Sequence, residues 1–152
     1  MKIVAKQDIE APIQKVFERA TDFKNFERSA MRRGASVTRL EGEDDAQVWD
    51  VAFPLRGKTR LFRLTVTDFD TPERMSMSAV SEGMAGSIQV DLVALSRSRT
   101  RLRVEIEVKP QTLSARLLVQ SLRLARGSLQ QRLQERLAEF TTAVEGTRSR
   151  RA

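Results

Sequence analysis

The sequence predicts an α+β domain in which an antiparallel sheet packs against one long C-terminal helix. Two observations support this prediction: the apolar residues change from a helical period to a period of two after Gly34, and they return to a helical period after Pro110. The predicted order is a strand, two short helices, six strands and a long helix. Short connections between the strands favour an antiparallel meander. One apolar sheet face and one apolar helix face would then bury each other.

The residue pattern of the N-terminal segment indicates a strand followed by two short helices. Residues 2–9 alternate between apolar and polar side chains, as a half-buried strand does. Pro12 suits a first helical position, and Asp22 can cap a second helix that Gly34 would end. Gln7 shares a face with the apolar residues of the strand. It is therefore either a hydrogen-bonded core glutamine or a group that fixes the polar end of a ligand.

Six segments between residues 35 and 110 alternate in the manner of strands, and each is bounded by a turn. Asp50 and Asp91 fall on the face opposite the apolar one, which argues against a pair of carboxylates acting as acid and base. The acidic turn at residues 41–45 lacks the spacing of a calcium loop and is expected to be solvated.

Residues 112–144 predict one amphipathic helix of about 50 Å. Thr112 can cap its start and Gly146 is a stop signal, while Gly127 is a weak point within it. The apolar face of this helix consists of Leu118, Leu122, Ala125, Leu129, Leu133, Leu137, Phe140 and Val144. Residues 1–146 are thus expected to form a single domain, and residues 147–152 a basic flexible tail.

Composition excludes several classes of chemistry. The chain has no Cys, His or Tyr, which removes disulfides, thiolate nucleophiles, imidazole or phenol catalysis and the commonest zinc and iron sites. No cofactor or metal is expected. No apolar run is long enough to span a membrane and no signal peptide is evident, so a cytoplasmic protein is the expectation.

The chain is basic, with 27 Lys and Arg against 20 Asp and Glu. This surplus is interspersed and no nucleic-acid motif accompanies it, so it indicates a solvated surface, with transient contact to a membrane or an acidic partner as the alternative. Arg116, Arg123 and Arg126 lie near the borders of the long helix. They are expected to be solvated, or else to reach a ligand's carboxylate or phosphate. The sequence does not define an oligomeric state.

Residues 9–17, with the sequence Ile-Glu-Ala-Pro-Ile-Gln-Lys-Val-Phe, resemble the helix-grip superfamily, and so do Asp22-Phe23 and the long C-terminal helix. This superfamily, also called SRPBCC or START-like, includes lipid-transfer domains, the birch-pollen allergen and polyketide cyclase/dehydrase-like bacterial proteins. The resemblance implies a curved seven-stranded antiparallel sheet that grips the long helix around a cavity for an apolar ligand. Phe26-Glu27-Arg28 departs from the Pro-Trp of many relatives. The His and Tyr of the cyclases are absent, so no catalytic residue transfers.

The resemblance thus implies a ligand cavity between the sheet and the helix, whereas the residues alone also allow a filled core. The predicted lining is Trp49, Val51, Phe53, Phe62, Leu64, Met75, Met77, Val90, Leu118, Leu122 and Ala125. The first hypothesis is binding or transport of a hydrophobic small molecule such as a lipid, an isoprenoid or a polyketide. The alternatives are an enzyme of the polyketide cyclase/dehydrase type and a basic-surface interaction protein. The missing His, Cys and Tyr favour a binding protein over an enzyme.

Overall fold

The computed structural model describes residues 1–42, 46–55 and 57–149, and it contains seven strands and four helices within them. The strands are β1 (Lys2–Ile9), β2 (Ser36–Glu41), β3 (Gln47–Leu55), β4 (Lys58–Asp70), β5 (Arg74–Ser81), β6 (Met84–Ser96) and β7 (Arg99–Pro110). The helices are α1 (Ile13–Ala20), α2 (Phe23–Arg32), α3 (Leu113–Leu124) and α4 (Arg126–Ser149). This order confirms the predicted α+β architecture. Residues 43–45 of the acidic turn and 150–152 of the expected tail lie outside the described residues.

The seven strands form one curved antiparallel sheet in the order β1-β7-β6-β5-β4-β3-β2. Alternation places the apolar residues of neighbouring strands opposite each other, as in the pairs Trp49–Leu64 and Val90–Val104. These side chains line the concave face, towards the helices. Register shifts in β4 and β6 add local twist, which helps the sheet to curve.

The outer face of the sheet carries ion pairs between directly opposed residues. They are Asp8–Arg101 (2.8 Å), Asp50–Arg63 (2.9 Å) and Arg74–Asp91 (3.0 Å). Hydrogen bonds from the guanidinium groups hold the pKa of Asp8 and of Asp50 below their ordinary values. The expected outward orientation of Asp50 and Asp91 is therefore confirmed, and both carboxylates are used in sheet pairing.

The two short helices lie at the end of the sheet where β1 ends. The Asp22 carboxylate caps α2 by accepting a hydrogen bond from the Asn25 N–H (3.3 Å), and Gly34 follows α2 with a φ of 95°. α1 anchors this end, because Val16 and Phe17 are buried in the core. α2 has no buried residue. Its apolar side chains therefore remain available to line a space.

The expected single helix is wrong, because the chain breaks it at Ala125. The Thr112 hydroxyl caps α3 as predicted, accepting from the Ala115 N–H (3.2 Å), but the Ala125 N–H turns back to the Leu122 carbonyl (3.0 Å) and α4 begins at the next residue. β1, which α4 follows, has 8 residues, about 27 Å. A straight rod of about 50 Å could not remain in contact with it, whereas two helices can each bury an apolar side.

The expected end at Gly146 is also wrong, since α4 continues to Ser149. A glycine within a helix costs only about 1 kcal/mol relative to alanine. Val144, two residues before Gly146, is fully buried against the core. The helix therefore continues through the glycine directly after a residue that packs against the core.

α4 runs along the free edge of β1, and its side chains donate hydrogen bonds to the backbone carbonyl groups of that edge. The pairs are Arg126 to the Lys2 carbonyl (3.1 Å), Gln130 to the Val4 carbonyl and Gln134 to the Lys6 carbonyl (2.8 Å). Four helical residues advance about 6.0 Å and two strand residues about 6.7 Å, so the donors and acceptors stay in step. The resulting ladder covers an edge that would otherwise be open to pairing with another chain.

The apolar core consists of two clusters at opposite ends of the sheet. One joins α1, the sheet centre and α4, and its fully buried members include Ile9, Val16 and Val144. The other joins α3 to Met84 and the start of the chain. Among the described residues, no helix combines the length and the apolar character needed to cross a bilayer.

Candidate functional site

Two adjacent cavities separate the concave face of the sheet from the helices. The first, named here the α2 cavity, has a volume of about 380 Å³, and the second, the α3 cavity, about 410 Å³. Val51, Leu64 and Ile88 line both. The two spaces therefore meet over the middle of β3, β4 and β6.

The α2 cavity is bounded by α2, the sheet and the middle of α4. The helices contribute Ala20, Phe23, Phe26, Glu27, Ala30, Arg136, Leu137 and Phe140, and the sheet contributes Val37, Trp49, Val51, Leu64, Met75, Met77, Ile88, Val90, Leu102 and Val104. Trp49 is 3% exposed, whereas Phe26 is 44% exposed. The space thus runs from a buried inner wall to a rim between α2 and α4.

The indole of Trp49 is fixed from several sides. Its N–H donates to the Glu27 carboxylate (2.5 Å), which ties the sheet to α2. The Arg39 guanidinium lies 5.5 Å from the indole centroid, and the Phe23 ring meets it edge-on with centroids 5.1 Å apart. Trp49 therefore has a defined orientation beside the cavity.

Two charged side chains belong to the lining of the α2 cavity. Among the described residues that line the α2 cavity, Glu27 and Arg136 are the ionisable ones. Arg136 pairs with Glu139 (3.2 Å), and the Glu139 carboxylate also lies 3.9 Å from Arg33, just beyond the last turn of α2. The α2 cavity thus has an apolar interior and two charged lining residues, and an ion pair beside it links α2 to α4.

The α3 cavity occupies the other end of the concave face. Its sheet wall includes the stacked rings of Phe53 and Phe62, whose centroids are 5.1 Å apart. Its helical wall comes from Leu122 of α3 and from Leu129 and Leu133 of α4. These surroundings are apolar, so this space also suits hydrocarbon.

The structure divides the predicted lining between the two cavities. Trp49, Val51, Leu64, Met75, Met77 and Val90 line the α2 cavity, and Val51, Phe53, Phe62, Leu64 and Leu122 line the α3 cavity. Leu118 and Ala125 line neither. Leu118 is buried beside Met84 in the α3 cluster, and Ala125 forms the break between the helices. The break explains this, because it turns α3 towards the end of the sheet.

The polar candidates of the sequence lie elsewhere. The Gln7 side chain accepts a hydrogen bond from Gln134 (3.0 Å) and is not part of either lining. Arg116, Arg123 and Arg126 line neither cavity, and all three are exposed. No group of three or more carboxylates within the described residues is placed to hold a metal ion.

Sequence reasoning missed the α2 wall of the cavity. Phe23, Phe26 and Ala30 share one helical face, but a shared face predicts burial and does not distinguish a core from a cavity wall. Glu27 and Arg136 gave no signal, because charged residues on a short helix and on a long one are ordinarily solvated. The apolar spacing of Leu137 and Phe140 was visible, although the break decided that they, and not Ala125, face the space.

Comparison with known proteins places this geometry in a family. The family model described as polyketide cyclase / dehydrase and lipid transport matches residues 1–145. No curated protein matches the sequence at a significant level.

Several solved structures have a similar fold. The protein TTHA0849 from Thermus thermophilus is 13% identical with a TM-score of 0.70, covering 97% of this chain and 99% of its own. The Zhui aromatase/cyclase from Streptomyces sp. R1128 is 15% identical with a TM-score of 0.68, covering 95% and 93%. A START superfamily protein from Mycobacterium smegmatis is 12% identical with a TM-score of 0.56, covering 88% and 97%. At these identities the likeness shows the fold, and with the family match it confirms the resemblance inferred from residues 9–17. The chain belongs to the polyketide cyclase/dehydrase and lipid-transport family of helix-grip proteins.

Proposed function

We propose that this chain is a cytoplasmic binding or transport protein for a hydrophobic small molecule, which it holds in the α2 cavity. The observation that carries the proposal is an apolar space of about 380 Å³ beside the only tryptophan of the chain. Ligand sites in proteins are mostly apolar clefts of about 300–1,000 Å³ with a few fixed polar groups. A lipid, an isoprenoid or a polyketide-like molecule has the matching chemistry.

A filled core is the competing interpretation, and the packing speaks against it. Protein interiors are close-packed, with few voids larger than a water molecule. Here Val51, Leu64 and Ile88 stand in the middle of the concave face and are only half-buried. An apolar guest would complete their burial, each Å² removed from water being worth about 25 cal/mol before ordering costs.

The lining suggests how a guest is oriented. Its apolar body would lie against Trp49, Met75 and Met77, and methionine adapts to guests of different shape because it is unbranched and polarizable. Its polar end would face the rim, where Arg136 can donate hydrogen bonds. The carboxylate of Glu27 accepts the indole N–H of Trp49, so a guest that displaces α2 would also disturb this hydrogen bond.

No observation favours an enzymatic alternative of the cyclase type. The Streptomyces protein of similar fold is an aromatase/cyclase, but the ionisable side chains in the described lining of the α2 cavity are the guanidinium of Arg136 and the carboxylate of Glu27, which accepts the indole N–H of Trp49. Acid–base catalysis needs a group of suitable pKa within hydrogen-bond reach of the reacting atoms. We therefore propose binding without a reaction.

Fluorescence of Trp49 tests the proposal, with fatty acids, isoprenoid quinones and flat aromatic polyketides as probes. A guest in the cavity should change the surroundings of the indole and shift its emission, and native mass spectrometry should show the complex. Ala30→Phe, which fills the α2 wall, should abolish both signals. Ala138→Phe, the same change on the exposed side of α4, should leave them intact.

The contrary results are equally specific. An emission that ignores every probe, together with no retained mass from a cell extract, would show that the space does not hold these ligands. Equal loss of signal in both phenylalanine variants would mean that the effect comes from stability and not from the cavity. Thermal unfolding of each variant separates these cases.

A further inference from the structure

The outward face of α3 exposes three leucines in one stripe. Leu113 is 75% exposed, Leu117 60% and Leu124 92%. At about 100° per residue they fall within about 40° of the helix circumference. The opposite face, formed by Ala115, Leu118, Val119 and Leu122, is buried. α3 therefore has two apolar faces, and only one of them is used inside the protein.

All the charged residues in this part of the chain are basic. Between Glu107 and Glu135 the sequence contains no carboxylate, and its charged residues are Lys109, Arg116, Arg123, Arg126 and Arg132. Arg116 and Arg123 are seven residues apart, so they lie on one flank of the leucine stripe. Neither forms an ion pair with any described residue. Glu82 lies in the turn next to the start of α3, but it forms no ion pair with either guanidinium group.

We propose that the outer face of α3 docks the protein on an anionic lipid bilayer. A helix with an apolar stripe and a basic flank lies in the plane of the interface, with its apolar side chains about 5–10 Å into the headgroup and acyl boundary. The three leucines supply that apolar contact. The guanidinium groups of Arg116 and Arg123 can pair with lipid phosphates, for which their planar fork is well suited.

Other occupants fit this face less well. A second copy of the chain would bring another basic segment without carboxylates against Arg116 and Arg123, and like charges in contact are unfavourable. A nucleic acid would use the arginines but would leave the leucine stripe without a partner. The charges and the leucines are both satisfied at a negatively charged bilayer.

Three apolar side chains of similar exposure on the sheet lack this combination. Leu61, Val80 and Val93 are each more than half exposed, but they lie on the outer face of the sheet. There the neighbouring charges are paired, as in Asp50–Arg63 and Arg74–Asp91. The free positive charge and the apolar stripe coincide at α3.

Docking at α3 also orients the interior. Leu122 lies on the inner face of α3 and lines the α3 cavity, while Leu124 points outwards two residues later. A bilayer in contact with the leucine stripe would lie one helix thickness, about 10 Å, from that cavity. The docking proposal does not depend on what the cavities hold.

Vesicle co-sedimentation tests the proposal with the full chain. The protein should bind phosphatidylcholine vesicles that contain about a third phosphatidylglycerol, bind pure phosphatidylcholine vesicles weakly, and detach as salt rises from about 0.1 to 0.5 M. Arg116→Gln with Arg123→Gln should weaken binding about 30-fold, because each basic residue near an anionic surface contributes about a fivefold change in affinity. Leu117→Gln with Leu124→Gln should weaken it by at least about tenfold.

Matched controls exist elsewhere on the surface. Leu61→Gln changes a leucine of similar exposure on the outer sheet face, and Arg97→Gln changes an arginine in the turn between β6 and β7, at the opposite end of the sheet from α3. Both controls should bind as the wild type does, and circular dichroism should show every variant folded.

Three results would overturn the proposal. The first is wild-type protein that does not bind the anionic vesicles. The second is binding that the arginine variant loses but the leucine variant keeps, together with binding to DNA or polyglutamate, which would identify an acidic macromolecule as the partner. The third is a concentration-dependent dimer that the leucine variant abolishes, without vesicle binding, which would identify a second copy.

Discussion

Replacing Gln134 by alanine should lower the free energy of unfolding by about 1–3 kcal/mol. The Gln134 amide donates to the Lys6 carbonyl (2.8 Å) and to the Gln7 side chain (3.0 Å), and each such hydrogen bond contributes about 0.5–1.5 kcal/mol. Alanine has at least the helix propensity of glutamine, so the helix itself loses nothing. The loss therefore measures how strongly α4 is attached to the edge of β1.

Gln131 offers a control on the same helix. Its side chain is exposed and makes one hydrogen bond, to Glu135 four residues on (3.3 Å), so Gln131→Ala should change stability by no more than about 0.5 kcal/mol. Urea unfolding followed by circular dichroism gives both values. In a thermal scan, about 1 kcal/mol corresponds to about 2–4 °C for a chain of this size. Equal losses in the two variants would refute the claim that the ladder to β1 holds α4 in place.

The remaining predictions concern packing, pH and the helix break. Leu122→Ala, at a side chain that is 8% exposed, should cost about 2–5 kcal/mol, whereas Leu124→Ala, at 92% exposure, should cost almost nothing; similar melting temperatures would contradict this assignment of the two α3 faces. Because the Arg101 hydrogen bond lowers the folded-state pKa of Asp8, its stabilisation is present above about pH 4 and is lost as the pH falls, so Asp8→Asn should flatten the acid side of the melting curve; an unchanged slope would contradict this. Gly127→Ala should raise stability by up to about 1 kcal/mol, since a Cβ there meets nothing within 4 Å, and a lower melting temperature would contradict it.

The meander of β2 to β7 could be predicted from its short connections, and the inner sheet face from local alternation, whereas the pairing of β1 with β7 needed the fold. Trp49 and Leu64 are buried or half-buried partners in adjacent strands, as their alternating neighbours required. The break in the helix could not be predicted in this way. Leu122, Ala125 and Leu129 keep the helical spacing across the break. The apolar period is therefore the same for one continuous helix and for two helices, and only packing decides between them.

The cavities and the outer face of α3 needed the fold. Whether Val51 borders a solid core or a cavity depends on how far α2 stands from the sheet, which no local pattern specifies. The leucines at 113, 117 and 124 also follow a helical spacing, but they were not predicted as a separate exposed face. Only the fold shows that these leucines are exposed, because the opposite face of α3 is the one that packs inwards.

The ladder between α4 and β1 has a further consequence, for motion. Its donors recur every fourth residue, and the positions that continue the row, Leu122 and Ala138, have no donor to offer. A shift of α4 by one turn in either direction would therefore lose a hydrogen bond, so one register of the helix against β1 is preferred. α2, in contrast, has no buried residue. The Glu27–Trp49 hydrogen bond ties it to the sheet, and the Arg33–Glu139 pair (3.9 Å) links it to α4. We expect guests to enter the α2 cavity by displacement of α2 while α4 remains stationary.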